Sequence, residues 1–336
     1  MPIALFKFPN DLLREVLNLC DPFELYKLSK CSKKCSQKAT MLRDTKMWKI
    51  GYYGGNDMTI CADGSNYHFK KTQKPRDYFK TERALRFGRY NDYMYIEFPK
   101  GGSFELFVYL LETFGIRTVK SMEALFGKLH NVSKVAKLLM DRKMEIEEFR
   151  INKIDNVQDA VNIMPMLSQM NITQFFECSI KFPPDFQFEF VNYPSQISIS
   201  KSFWLNINQL SNCTCTRVHL QQSMLTNKEL NVLLHEWKNA SALPNLRVLE
   251  IESNNIDNQS PILDMIPPII NANNPRVSIF NKFYDTMIDG VQVKKNDGTE
   301  GWMRVDLGYR PALKLFIVDP ADTVVEEIPE DDDDDW

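Results

Sequence analysis

The feature that most constrains this chain is a repeat in its second half. Leu246, Leu249, Ile251, Asn254 and Ile256 fit every fixed position of the pattern L-x-x-L-x-L-x-x-N-x-L. Cys215, Val218, Leu220, Ser223 and Leu225 occupy the same register, and Pro194, Ile197, Ile199, Ser202 and Trp204 do so more loosely. Ile146, Phe149, Ile151 and Ile154 form an earlier copy, and Thr173, Phe176 and Cys178 a poor one. The leading positions 149, 176, 197, 218 and 249 are separated by 27, 21, 21 and 31 residues. Such a unit is too small to bury its own apolar face, so neighbouring copies must stack on one another. The longest interval shows its helix: Thr226 is a cap with Glu229 three residues on, and Leu230, Leu233, Leu234 and Trp237 fall on one face.

Most of these intervals lie within the roughly 20–29 residues of leucine-rich repeats, which the pattern resembles. An imperfect α/β solenoid is therefore expected over most of residues 90–280, with short strands on a concave sheet and helices on the convex side. Ahead of it, Met58 to Ala62 and Asn66 to Lys70 read as a hairpin around Asp63-Gly64-Ser65. Residues 71–90 are polar and basic and read as a loop with a short helix. Tyr93 to Phe98 reads as a strand, Phe104 to Phe114 as a helix, Ile116 to Val119 as a strand and Val132 to Met140 as a helix. Beyond the repeats, Val277–Phe280, Gly290–Lys294, Met303–Leu307 and Leu313–Val318 read as strands, with Asp297-Gly298 in a hairpin turn.

The N-terminus holds two helix-start signals in quick succession. Asn10 or Asp11 can cap a helix whose apolar positions are Leu12, Leu13, Val16, Leu17 and Cys20. Asp21 caps a second, with Pro22 in its first turn and Glu24 completing a capping box. A Ser/Lys-rich segment from Ser29 to Cys35 follows, and then Trp48. Residues 8–48 resemble an F-box. The family usually opens with Leu-Pro and often carries valine where Cys31 stands; Phe8 and Cys31 keep those positions apolar. F-boxes bind the Skp adaptor of cullin–RING ubiquitin ligases. The resemblance thus implies a Skp-family adaptor, and through it cullin, as partners, with Phe8, Pro9, Leu12, Leu13, Val16, Leu17, Leu25, Leu28 and Cys31 forming or supporting the apolar adaptor surface.

A second resemblance supports the first. Asn212 to Cys215, Leu225 to Asn231, Trp237 and Leu243 to Ile251 look like the F-box-associated domain found in many nematode F-box proteins, and Asp289 through Thr299 resembles that family's C-terminal end. The expected class is α/β: a three-helix F-box (1–48), a connector with a hairpin (49–92), a leucine-rich-repeat-like solenoid (93–275), a C-terminal β segment (276–320) and an acidic disordered tail (321–336). The two resemblances imply a substrate-recognition subunit that holds an unidentified protein target and makes or breaks no bond itself. The other reading is an interaction scaffold whose N-terminal helices merely cap the repeats.

Composition narrows the classes. A chain of 336 residues with 43% hydrophobic and 25% charged residues can bury a sizeable core. Eight acids stand in the last eleven residues, and without them 41 Lys and Arg face 36 Asp and Glu. That excess is too small and scattered to argue for nucleic acid. Lys27, Lys30, Lys33, Lys34, Lys38 and Arg43 form a basic segment without interleaved aromatics, which reads as a solvated face or as steering towards an acidic partner. No apolar run is long enough for a bilayer, so no membrane partner is expected. Seven cysteines without framework spacing, and no signal peptide in Met1 to Lys7, place the chain inside the cell, in cytoplasm or nucleus.

Candidate chemistry is sparse, and the sequence makes no positive case for an enzyme or a cofactor. Cys213, Cys215, His219 and His235 are the best metal ligands, but a one-residue gap between the cysteines departs from zinc spacing, and Cys215 also reads as repeat core. The expectation is no metal. Phe182, Phe186, Phe188, Phe190 and Tyr193 are either loop packing or anchors for a partner.

Overall fold

The computed structural model describes residues 7–33, 35, 37, 42–55, 57–86, 88–124, 129–152, 154–272, 276–281, 286–321 and 323–328. The chain is mixed α/β, with seven α-helices among the described residues, and divides into two compact units, 1–173 and 174–336.

In the first unit, helices α1 (Asn10–Leu19) and α2 (Pro22–Cys31) precede five strands: β1 (Lys49–Tyr52), β2 (Asp57–Ala62), β3 (Ser65–Lys71), β4 (Thr81–Arg86) and β5 (Arg89–Ile96). Asp63 and Gly64, both at positive φ, turn β2 back onto β3, so the hairpin forms around these residues. Residues 71–90 depart from the expected loop and helix. Among their described residues only Pro75–Asp77 is helical, as a 3-10 turn, and β4 follows it, paired antiparallel with β5. Arg83 and Asp92 face each other across that pair with a two-pronged ion pair, which offsets the low apolar content that hid the strand.

The chain then alternates. Helix α3 (Ser103–Phe114) leads to β6 (Thr118–Ala124), α4 (Leu129–Asp141) to β7 (Glu145–Ile151), and α5 (Val157–Leu167) follows. Strand β6 lies parallel to both β1 and β7. Gly115 takes the left-handed conformation that ends α3, a position that favours glycine. The core-facing positions Val119, Met122, Ile146, Phe149 and Ile151 are fully buried. On the other face Glu147 is almost wholly buried between two cations. Lys49 bonds one carboxylate oxygen and Lys120 the other at 2.9 Å. Burial pushes the Glu147 carboxyl up, but the hydrogen bonds and charges of both lysines outweigh it, and the group titrates below its ordinary value.

Strand β8 (Asn171–Cys178) runs across the 173/174 boundary and is followed in the second unit by β9 (Gln196–Ile199), β10 (Arg217–Ser223) and β11 (Val248–Ser253). β8, β9, β10 and β11 run parallel to their neighbours, with Phe176 against Ile197, Ile197 against Val218 and Val218 against Leu249. The repeat positions 176, 197, 218 and 249 therefore share one register. Helix α6 (Ile207–Ser211) fills one crossover and α7 (Asn227–Lys238) the next; Leu230, Leu233, Leu234 and Trp237 of α7 are buried. The Thr226–Glu229 capping box is present. One pattern position differs: Asn254 is exposed, and the fully buried Ser253 instead donates to the Leu225 carbonyl at 2.7 Å. Ser202 does the same to Gln221 at 2.9 Å.

Antiparallel strands close this sheet: β16 (Ala312–Ile317) on β11, β15 (Glu300–Asp306) on β16 and β14 (Val291–Lys294) on β15. A small sheet of β12 (Val277–Asn281), β13 (Thr286–Ile288) and β17 (Thr323–Glu327) packs through Ile279 and Met287 on Val248 and Phe316. Strand β17 corrects the expected disordered tail from 321 onward. Val324 and Val325 give the stretch strand propensity, and β12 offers it a free edge. Asp331 to Asp335 lie outside the described residues.

Two outcomes test this packing. The buried Asn227 amide donates to the carbonyls of Asp257 (2.8 Å) and Ser260 (2.6 Å), and its oxygen accepts from Asp257 N–H (3.1 Å). Asn227→Ala strands these groups and should lower urea stability by about 2 kcal/mol; a loss under about 0.5 kcal/mol contradicts the role. Because the folded Glu147 value is depressed, its stabilisation is complete above the unfolded carboxyl value of about 4.3 and fades as pH falls through the lower folded value. Glu147→Gln should therefore be less stable than the parent at pH 7, with the gap narrowing as pH falls below the unfolded carboxyl value of about 4.3. A gap that does not change with pH argues against the triad.

Candidate functional site

The first N-terminal helix departs from its expected cap and the second keeps it. Helix α1 begins at Asn10 with Pro9 in the capping position, and no side chain caps it. Asn10 and Asp11 thus sit inside the first turn, correcting the expected cap. Helix α2 carries the full capping box: Asp21 accepts from Glu24 N–H at 2.8 Å, and Glu24 accepts from Asp21 N–H at 3.0 Å.

Helix α2 is bound tightly to the unit behind it. Phe23 meets Tyr67 and Phe69 edge-on at 5.2 and 5.1 Å, and Tyr26 meets Phe69 and Tyr109 at 5.2 and 5.9 Å. Ser29 and Tyr109 share a 2.6 Å hydrogen bond, and Lys30 lies 3.6 Å above the Tyr109 ring. Burial, with Tyr109 beside it, pushes the Tyr26 phenol far above its usual range. These contacts consume part of the basic segment: Arg43 also pairs with Asp63 at 3.2 Å, bonds the Asn18 carbonyl at the end of α1 and lies over Trp48. A cation there also suits the negative end of the helix. Trp48 itself is buried against Phe114.

The nine expected surface residues divide by burial. Leu13, Leu17 and Leu25 are inside, with essentially no exposed area. Phe8, Pro9, Leu12 and Cys31 are exposed, and Val16 and Leu28 are half-buried. On α1, Leu13 and Leu17 point inward at i, i+4 spacing, while Leu12, Val16 and Leu19 follow i, i+4, i+7 on the outward side. Leu12 is 46% exposed and Leu19 86%. Leu19 was missed at sequence level, although its i+7 offset from Leu12 could have found it. Met47, 83% exposed, carried no periodic signal. The segment expected as a third helix falls partly outside the described residues, at 34, 36 and 38–41.

The other candidates do not assemble. Cys213 and Cys215 are both buried with their thiols hydrogen-bonded, so they do not point to opposite faces. That bond and burial raise the Cys215 thiol well above its usual range. His219 lies 4.0 Å from Glu250, and His235 3.8 Å from Asp264. Among the described residues no three His, Cys, Asp or Glu side chains come together as a metal set. Burial pushes the Cys178 thiol up to about 12, which suits a core residue rather than a nucleophile. In the aromatic stretch Phe182 and Phe188 are buried against Trp204, and Phe186, Phe190 and Tyr193 are half-buried. No helix among the described residues is long and apolar enough to cross a membrane.

Adjacent leucines on α1 should behave oppositely. Leu13→Ala should cost about 2–5 kcal/mol in urea unfolding, whereas Leu12→Ala should stay within about 0.5 kcal/mol of the parent. Equal losses at both positions contradict the inward and outward assignment.

No curated protein and no solved structure matches this chain. A family model described as the F-box domain matches residues 5–46, and one described as F-box associated matches residues 185–251. The chain thus combines an N-terminal F-box domain with a C-terminal F-box associated domain.

Proposed function

We propose that this chain is the substrate-recognition subunit of a Skp–cullin–F-box ubiquitin ligase. F-box domains serve as docking modules for a Skp-family adaptor, and the F-box associated domain would hold the protein target. The observation that carries the reading is the outward apolar row of α1, Leu12, Val16 and Leu19, presented with Phe8 and Pro9. Single exposed apolar residues need no explanation, but an aligned row on one helix does. Leu13, Leu17 and Leu25 act as its backing rather than as contacts. The chain's contribution would be proximity between target and ubiquitin-conjugating enzyme, with no chemistry of its own.

The rest of the architecture is read in the same light. In each unit, parallel strands joined through helices, with buried repeat positions in register, support degenerate leucine-rich repeats between an F-box (1–48) and a closing β segment (276–320). Such a protein would work inside the cell, in cytoplasm or nucleus. The rival reading, a repeat scaffold merely capped by its first two helices, draws on the burial of Phe23 and Tyr26. A cap, however, gives no reason for Leu12 and Leu19 to face outward.

Purified full-length chain and a Skp-family adaptor provide the test. Leu12→Ala together with Leu19→Ala should weaken adaptor binding by about 2 kcal/mol or more, roughly thirtyfold, with an unchanged thermal midpoint. Parent-like binding by the folded double variant would sink the assigned face.

A further inference from the structure

A second recognition feature lies in the first unit, away from α1. Tyr26 and Lys30 of α2, Tyr78 and Phe79 after the 3-10 turn, and Ile96 to Lys100 beyond β5 line an open cleft of about 460 Å³. That volume is within the range of ordinary ligand sites. Its walls are unusually aromatic, with Tyr26, Tyr78, Phe79 and Phe98 contributing rings.

Two independent observations mark the cleft as more than a packing defect. The first is backbone strain. Phe79 has φ of +63°, a region that a bulky L-residue avoids. The conformation is fixed from both sides: Phe79 N–H donates to the Tyr95 carbonyl at 2.8 Å, and Lys80 accepts from Tyr95 N–H at 3.0 Å. The result leaves the phenyl ring 44% exposed at the cleft, where a glycine would cost nothing in strain. Strain kept at a lining residue points to use.

The second observation is charge. Glu97 is the cleft's carboxylate, and the Tyr78 hydroxyl bonds it. Lys30 and Lys100 have no carboxylate partner among the described residues, and Lys71 stands 5.9 Å from the Phe98 ring. Lys30 is held over the Tyr26 and Tyr109 rings, so Lys100 is the lining ammonium with neither a carboxylate nor a ring partner among the described residues. Aromatic walls flanked by ammonium groups that lack carboxylates are complementary to an apolar side chain flanked by acids.

We propose that this cleft binds a short acidic peptide segment with a central aromatic residue. Such a segment belongs to a protein partner, which would touch the first unit beside its F-box helix. The inference stands on the first unit alone and does not depend on the adaptor reading.

A pooled library of nine-residue peptides, each with a fixed central Phe or Trp and randomised flanks, tests it on the full-length chain. Selection should enrich Asp and Glu in the flanks, and enriched peptides should bind at least tenfold more tightly than versions with Lys in place of the acids. Lys100→Glu should weaken that binding at least tenfold. Phe79→Gly relieves the strain, so its thermal midpoint should be equal or higher while peptide binding drops. Loss of peptide binding without loss of adaptor binding separates this site from α1. No acidic enrichment, unchanged binding in both variants, or tighter retention of a single-stranded RNA oligomer than of the peptides would overturn the proposal.

Discussion

The edge-to-face packing of Phe23 and Tyr26 on Tyr67, Phe69 and Tyr109 is the interaction on which the N-terminal architecture depends. Two ten-residue helices cannot hold themselves together in water. Docked on the hairpin and on α3, however, α2 becomes part of a larger core. Helix α1 then needs only one face, Leu13 and Leu17, for attachment. Arg43 ties its C-terminal end to the hairpin tip. The opposite face is left in water, and that leftover surface is what makes a docking role physically sensible.

The second unit shows the same economy in another form. Its parallel strands carry apolar positions at one register, and small polar residues meet backbone carbonyls beside them: the Ser253 hydroxyl donates to Leu225, and Ser202 donates to Gln221 through both its hydroxyl and its N–H. Antiparallel strands end the array, so its last parallel strand, β11, does not offer an open edge. Strand β17 completes the small sheet that covers Val248 and Phe316.

Much of this was legible in the residues. The strand positions 149, 176, 197, 218 and 249 all fall in strands, because buried apolar pairs at i, i+2 admit few alternatives. The Asp21 and Thr226 caps follow from local hydrogen-bond chemistry alone. What the residues hid was set by pairing partners rather than by the hidden stretch's own apolar pattern. Strand β4 is held by cross-strand pairing with β5 rather than by apolar content, and β17 by the edge of β12. Asn254 matched the repeat pattern by type, yet burial selected its neighbour Ser253. At the candidate surface, the helical period identified the right helix but did not say which leucines face the core. That depends on where the hairpin rings sit, a long-range fact.

The central claim is that α1 is both the attached and the docking element. Hydrogen–deuterium exchange of the full-length chain, with and without a saturating Skp-family adaptor, addresses it most directly. The account predicts added protection in residues 8–19, while the backbone amides of α7 and β9 to β11 exchange unchanged. Protection confined to the second unit, or none in α1, would contradict it.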